Sequence, residues 1–308
     1  MGFTARSPLL PAALVAALAT TALPAAAATP AATIATAPAA TLANAPSRYA
    51  VSDGLRVHYK SLGKGRKAVV LVHGWTCDMS VWAAQVAALA GRVRVVVLDL
   101  PGHGGSDKPA VDYTMDRFAA AIEAVLKDAG VRRAVLVGHS MGTPVVRQFY
   151  RRDPERTLGL VAVDGALRRL ISDPEQIRGF VGRFEGPGYA DAVGGMMDAM
   201  FTQAAPPGAR EAVRAVAVAT PQAVAVSAMK GMLDLSIWGD DPIRVPLLVV
   251  NAKSPMWSAE YEAYVRSLDP QVEFHTIEGA GHFLMMEKPA EFDRLLDGFL
   301  ARLGLMKP

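Results

Sequence analysis

The residues best suited to chemistry are five in a row, Gly138-His139-Ser140-Met141-Gly142, between a short apolar run, Ala134–Val137, and a helical stretch, Met141–Arg151. A serine hydroxyl is a poor nucleophile unless it is exposed, oriented and paired with a base. A tight turn from a buried strand into a helix lifts such a side chain clear of the sheet. The turn is crowded, and glycines on both sides relieve it. The Met141 backbone N–H then faces a reacting carbonyl oxygen, and the helix N-terminus adds a favourable dipole for the developing charge. The chemistry implied is nucleophilic acyl transfer with Ser140 as the attacking group.

A base must come from elsewhere in the chain. Gly279-Ala280-Gly281-His282-Phe283 is a glycine-rich loop after the last strand, able to deliver an imidazole to a serine distant in sequence. Histidine suits the task because its pKa lies near neutrality. The other five histidines fit less well. His58 and His275 fall in strands, His103 and His139 flank turns, and His73 precedes a loop that it can orient. That loop, His73-Gly74-Trp75, follows the strand Ala68–Val72. It can offer a second oxyanion donor through the Trp75 backbone, or be an ordinary strand-end turn; the residues alone leave the two readings equal.

The elements that must position these groups are legible as alternating strands and helices. Arg56–Lys60 alternates and precedes the glycines at 63–65, which reads as an opening antiparallel strand pair. Ala68–Val72, Arg94–Leu98, Ala134–Val137 and Leu158–Val163 are continuous apolar runs, as expected of strands buried on both faces. Helical spacing falls between them at Ser80–Ala90, Met115–Ala129 and Met141–Arg151. The pattern predicts βαβ units and a mostly parallel sheet flanked by helices. It breaks at residues 166–242, which carry helical segments and no clear strand, and resumes with Pro246–Val250, Val272–Thr276 and a last helix from Pro289 to Leu303. A helical insertion between two sheet strands predicts a cap over residues 166–242, with the core in residues 48–165 and 243–304.

Composition narrows the function classes. The chain has 308 residues, 51% hydrophobic and 20% charged, which is globular rather than disordered. A formal net charge of +3 with no Lys/Arg cluster argues against a nucleic-acid or membrane-surface partner. A single cysteine, Cys77, excludes an intramolecular disulfide and reads as a small buried side chain. No His or Cys spacing suggests a metal site, and no cofactor is expected. At the N-terminus, Arg6 precedes an apolar run from Leu9 to Leu23 and then Pro24-Ala25-Ala26-Ala27-Ala28. Residues 1–28 are expected to be a secretory signal peptide, and residues 29–47 a low-complexity leader. The protein is therefore expected to be exported, periplasmic or secreted, with no stable membrane insertion after cleavage.

Four signatures in order carry a resemblance: His73-Gly74-Trp75, then Asp99-Leu100-Pro101-Gly102-His103-Gly104-Gly105-Ser106-Asp107, then Gly138–Gly142, then Gly279–His282. The chain resembles the serine α/β-hydrolases of the esterase, lipase and peroxidase-like group from about residue 50 to 304. The family order of nucleophile, acid and histidine can be satisfied here. The resemblance implies that the stretch from Asp99 to Asp107 is a turn shaping the site entrance. It is not a dinucleotide fingerprint, because Asp107 stands where the third glycine would be.

One departure concerns the acid. The loop after Pro246–Val250, where most of the family keeps it, reads Asn251-Ala252-Lys253-Ser254-Pro255-Met256-Trp257 and holds no carboxylate. A family branch that includes the haloalkane dehalogenases places the acid one strand earlier, where this chain has Asp164, about two dozen residues after Ser140. Asp164 is the expected partner of His282, with Glu260 as the alternative. Trp257, Phe283, Met256, Met196 and Met200 are expected to line an apolar pocket for an acyl or aryl group. The expected activity is hydrolysis of a carboxylic ester of a small molecule. Lactone, amide or carbon–carbon bond hydrolysis is open to the same residues, as is a non-catalytic ligand receptor.

Overall fold

The computed structural model describes residues 41–306; the segment read as a signal peptide, and the leader as far as residue 40, lie outside the described residues. The chain opens with a hairpin of β1 (Arg48–Ser52) and β2 (Leu55–Leu62). Its two-residue loop is Asp53-Gly54, both at positive φ (48° and 79°), the mirror-image turn whose twist matches paired strands. The antiparallel pair is thus closed before Arg56, not by the glycines at 63–65. Those glycines instead lead from β2 into β3 (Lys67–Val72). Then follow α1 (Ala83–Leu89), β4 (Val95–Leu98), α2 (Met115–Asp128), β5 (Arg133–His139), α3 (Gly142–Arg152) and β6 (Thr157–Val163).

Between β6 and the next strand the chain passes through α4 (Pro174–Gly182), α5 (Tyr189–Ala199), α6 (Ala209–Ala219) and α7 (Gln222–Leu233). It closes with β7 (Leu247–Ala252), α8 (Ala259–Leu268), β8 (Glu273–Ile277), α9 (Leu284–Glu287) and α10 (Pro289–Arg302). The eight strands form one sheet in the order β1-β2-β4-β3-β5-β6-β7-β8. β1 and β2 join antiparallel, and every pairing from β4 to β8 is parallel.

Every residue of β4 and β7 is buried, the burial expected of parallel strands covered on both faces. α2 shows how a helix is fitted to such a sheet. Thr114 caps its start by accepting from the Arg117 N–H. Phe118, Ile122 and Val125 make the buried stripe, and Gly130 at φ 66° ends the helix. The stems of the α4–α7 segment are tied to α3. The buried Arg147 guanidinium donates to the carbonyls of Leu167 and Gly239, and Arg151 donates to that of Ile237. Parallel pairing brings the C-terminal ends of β3, β5, β6 and β7 to one edge of the sheet, where functional groups of such sheets collect.

Candidate active site

β5 ends at that edge in a sharp turn. Ser140 sits at φ 52°, a left-handed conformation that costs a non-glycine residue about 1–3 kcal/mol. Three hydrogen bonds hold it there: Ser140 N–H to Val163 O (2.9 Å), Thr143 N–H to Ser140 O (2.9 Å) and Thr143 Oγ1–H to Gly138 O (2.9 Å). The flanking glycines are required by close approach. A Cβ on Gly138 would come 2.3 Å from Gly142 O, and one on Gly142 would come 2.6 Å from Val72 O. The sequence pattern thus has a steric cause: the β5–α3 turn is pressed against β3.

β6 ends in the same way. Asp164 has φ 41°, and its N–H continues the ladder to Val250 O at 2.9 Å. Its carboxylate is nearly buried, at 7% exposure. Oδ2 lies 2.6 Å from His282 Nδ1, while Oδ1 accepts from the Ala252 N–H and the Trp257 indole, each at 2.8 Å. A carboxylate can only accept, so a neutral His282 carries its proton on Nδ1 and keeps Nε2 as the basic atom. Glu260, the alternative acid, is exposed in the first turn of α8 and does not reach His282. The last residue of β7 and the loop after it each supply one donor to Asp164, where that loop holds no acid.

The backbone of the His282 loop is fastened at three points. His282 N–H donates to Met200 O (2.9 Å), and His282 O accepts from His139 Nε2 (2.9 Å). Gly281 N–H donates to Glu287 Oε2 (2.8 Å). The same buried Glu287 accepts from the Thr202 N–H (2.8 Å) and hydroxyl (2.6 Å), so it joins the loop to the end of α5. Sequence reading passed over Glu287. Its one signal was a carboxylate closing the apolar run Phe283–Met286. Burial first, and then the neighbouring His282, hold the His139 imidazole well below the ordinary histidine range. His139 is therefore a neutral donor and not a second base.

The loop after β3 is braced from below by His73, whose Nδ1–H donates to Gly74 O (2.8 Å) and whose Nε2 accepts from the Leu100 N–H (2.9 Å). Both ring nitrogens are consumed in orienting loops. Trp75 uses its indole to donate to Ala225 O in α7 (2.8 Å). Thr76 is at φ 55°. Of the four non-glycine residues described at positive φ, three (Thr76, Ser140 and Asp164) lie in these strand-end loops, so strain is concentrated here. The backbone N–H groups of Trp75 and Met141 make no bond to another protein group among the described residues.

These loops enclose a cavity of about 40 Å³, room for about one water. Gly74, Trp75, Cys77, Ser140, His282 and Phe283 line it, together with Met196 and Met197 of α5, Met200 just beyond that helix, and Met229 and Met232 of α7. Ser140 and His282 border it without a hydrogen bond between them. Of the residues expected in the pocket, Met196, Met200 and Phe283 line it. Trp257 instead turns its indole onto Asp164, and Met256 is 55% exposed. Met196 and Met200 also border an open groove of about 480 Å³ lined by residues in and just after α4 and α5, with Arg183 and Asp191 among them. Cys77 is buried, which pushes its thiol far above the ordinary range and leaves it protonated.

The model of the alpha/beta hydrolase fold family matches residues 67–289. Among solved structures, a thermophilic esterase from Thermogutta terrifontis superposes with a TM-score of 0.72 at 28% identity, covering 84% of this chain and 99% of that one. Est816, an N-acyl homoserine lactone degrading enzyme, gives 0.69 at 26% identity, with 82% and 100% covered. Among curated proteins, the dihydrolipoyllysine-residue acetyltransferase component of the acetoin cleaving system of Cupriavidus necator is 35% identical over 116 residues, 38% of this chain and 31% of that protein. The chain thus spans about a third of the length of the curated relatives first matched. Fold, strand order and family model agree, and the chain belongs to the alpha/beta hydrolase fold family.

Proposed function

We propose that this protein is a serine hydrolase that cleaves a carboxylic ester in two acyl-transfer steps. Ser140 Oγ attacks the carbonyl carbon as its proton passes to His282 Nε2. The N–H groups of Trp75 and Met141 receive the oxyanion. His282 returns the proton to the departing alkoxide, then takes one from the water that releases the acid. Asp164 fixes the tautomer and balances the imidazolium. The observation that carries this reading is the 2.6 Å pair of His282 Nδ1 and Asp164 Oδ2 beside a cavity shared with a strained Ser140. The unbonded N–H groups of Trp75 and Met141 support it further.

The test is hydrolysis of p-nitrophenyl esters by the wild type, Ser140→Ala and Asp164→Asn. Loss of turnover in both variants, with the fold intact, supports the proposal; turnover retained in Ser140→Ala contradicts it. Lactone hydrolysis is the second reading, favoured by the similarity to the lactone-degrading Est816. A lactone supplied beside the matched open-chain ester separates the two. A non-catalytic receptor would be marked by stoichiometric fluorophosphonate labelling of Ser140 without ester turnover.

Residues 166–242 act in this reading as a cap, supported by the methionines of α5 and α7 in the cavity wall. The substrate's acyl or aryl group is small and apolar, because a cavity of about 40 Å³ walled by methionine admits more only if those flexible side chains move. Export follows from residues 1–28, and N-terminal sequencing of the mature protein from a periplasmic or culture fraction tests it.

A further inference from the structure

A second serine, histidine and aspartate stand in line at the other end of the chain, on the β1–β2 side of the sheet. Ser47 Oγ lies 2.8 Å from His58 Nε2, and His58 Nδ1 lies 2.7 Å from Asp99 Oδ2. Asp99 is 2% exposed and is held by the N–H groups of Met79 (2.8 Å, on Oδ1) and Gly105 (2.8 Å, on Oδ2). Burial alone would raise its pKa. The hydrogen bonds from His58 and from the two N–H groups act the other way and the carboxyl is lowered, so it is ionised at neutral pH. An ionised carboxylate on Nδ1 puts the neutral imidazole's proton there. Nε2 then has only a lone pair to offer, and the group at 2.8 Å must donate: the Ser47 hydroxyl. Ser47 itself is exposed, immediately before β1.

We propose that Ser47 is a second reactive serine, acylated once by activated aryl esters with His58 as general base and Asp99 as the group that orients it. Ser47 Oγ forms a bond to the ester carbonyl carbon and gives its proton to His58 Nε2. The carbon–oxygen bond to the aryl group breaks, and the aryl oxide takes that proton. Aryl esters are the favoured class because the leaving group departs readily. In addition, the ring of Tyr49, 45% exposed, lies 5.2 Å from the His58 ring with the Arg56 guanidinium over it, which places an aromatic edge and a cation beside the reacting atoms. The acyl group stays. Releasing an alkyl acyl-serine requires stabilisation of a tetrahedral oxyanion, and one missing donor costs about 10²–10³ in rate. Ser47 is outside the left-handed region and leads into a strand, so no helix N-terminus stands behind it.

The experiment uses the full chain carrying Ser140→Ala, incubated with p-nitrophenyl acetate and mapped by peptide mass. Ser80, Ser236 and Ser258 are exposed serines in the same molecule and serve as internal references. The expected result is acetylation of Ser47 about 100-fold faster than of the references, the size of general-base assistance. One acetyl group is expected per chain, and none at this position in Ser47→Ala. Ser47→Cys gives an independent reading: its thiol should alkylate with iodoacetamide about tenfold faster than that of Ser80→Cys, as expected of a thiol paired with an imidazole. Labelling of Ser47 no faster than of the references, or equal alkylation of the two thiols, overturns the proposal and leaves Ser47 as a hydrogen bond that pins the segment before β1.

Discussion

Two serines in this chain are accompanied by a histidine whose Nδ1 is bonded to a buried aspartate, at 2.6 Å beside Ser140 and at 2.7 Å beside Ser47. Each aspartate also accepts two further donors, Ala252 N–H and the Trp257 indole on Asp164, Met79 and Gly105 N–H on Asp99. The serine–histidine bond is in fact present at 2.8 Å only at Ser47. The difference lies in the backbone around the nucleophile. Ser140 is half-buried, at φ 52° between a strand and a helix, against a cavity and two unbonded N–H groups. Ser47 is exposed and unstrained ahead of a strand. The two sites thus share a line of side chains and differ in the strained turn, the unbonded N–H groups and the cavity beside the serine.

The comparison can be broken most sharply at the nucleophiles. Ser140→Ala should lower ester turnover by about 10⁵-fold or more, while Ser47→Ala should leave kcat/KM within about twofold. Equal losses from the two would erase the distinction. Asp164→Asn comes next, at about 10⁴-fold in kcat, because it inverts the tautomer His282 needs. Glu260→Gln should change kcat by less than about twofold, since an exposed carboxylate in α8 touches nothing at the site. A severe Glu260 effect with a mild Asp164 one would reassign the acid.

Acid should load the loops that carry both sites. His73, His103 and His139 are fully buried beside them, and burial lowers all three, His103 to about 3 from an ordinary 6.5. Below about 6.5 the unfolded chain binds protons that the folded chain refuses. Stability is complete above that pH and falls as the pH drops, for His103 by about 1.4 kcal/mol per unit down to about 3. Urea midpoints measured between pH 7 and 5 should decline, and a flat profile would contradict burial of these rings as neutral species.

Smaller effects should come from the wall and the loop anchor. Glu287→Gln weakens the bonds to Gly281 and Thr202, so kcat should fall about tenfold with little change in KM, as expected of a residue that positions His282. Met200→Ala should shift the preference a few-fold toward longer acyl chains by opening the wall between cavity and groove. An unchanged chain-length profile would place the substrate elsewhere.

What was readable in the sequence is what local pattern carries. The apolar runs at β3 to β6 and the glycines of the β5–α3 turn follow from burial and close approach, both of which constrain residue type directly. Asp164 was reachable because it ends a strand whose place in the family order is fixed. The opening hairpin was misplaced because the glycines at 63–65 outweighed Asp53-Gly54, the pair that forms the turn. The Trp257 bond to Asp164, the anchoring by Glu287 and the Ser47–His58 contact were invisible for another reason. Each acts on a partner that only the fold brings near, as the Trp257 indole does on Asp164 across 93 positions.

The most direct measurement is fluorophosphonate labelling of the wild-type protein, with ester turnover and peptide mass followed together. The account predicts that turnover falls in proportion to modification of the Ser140 peptide and reaches zero at one label there, whatever the state of Ser47. Turnover that survives complete modification of Ser140, or that is lost while Ser140 remains unmodified, would contradict it.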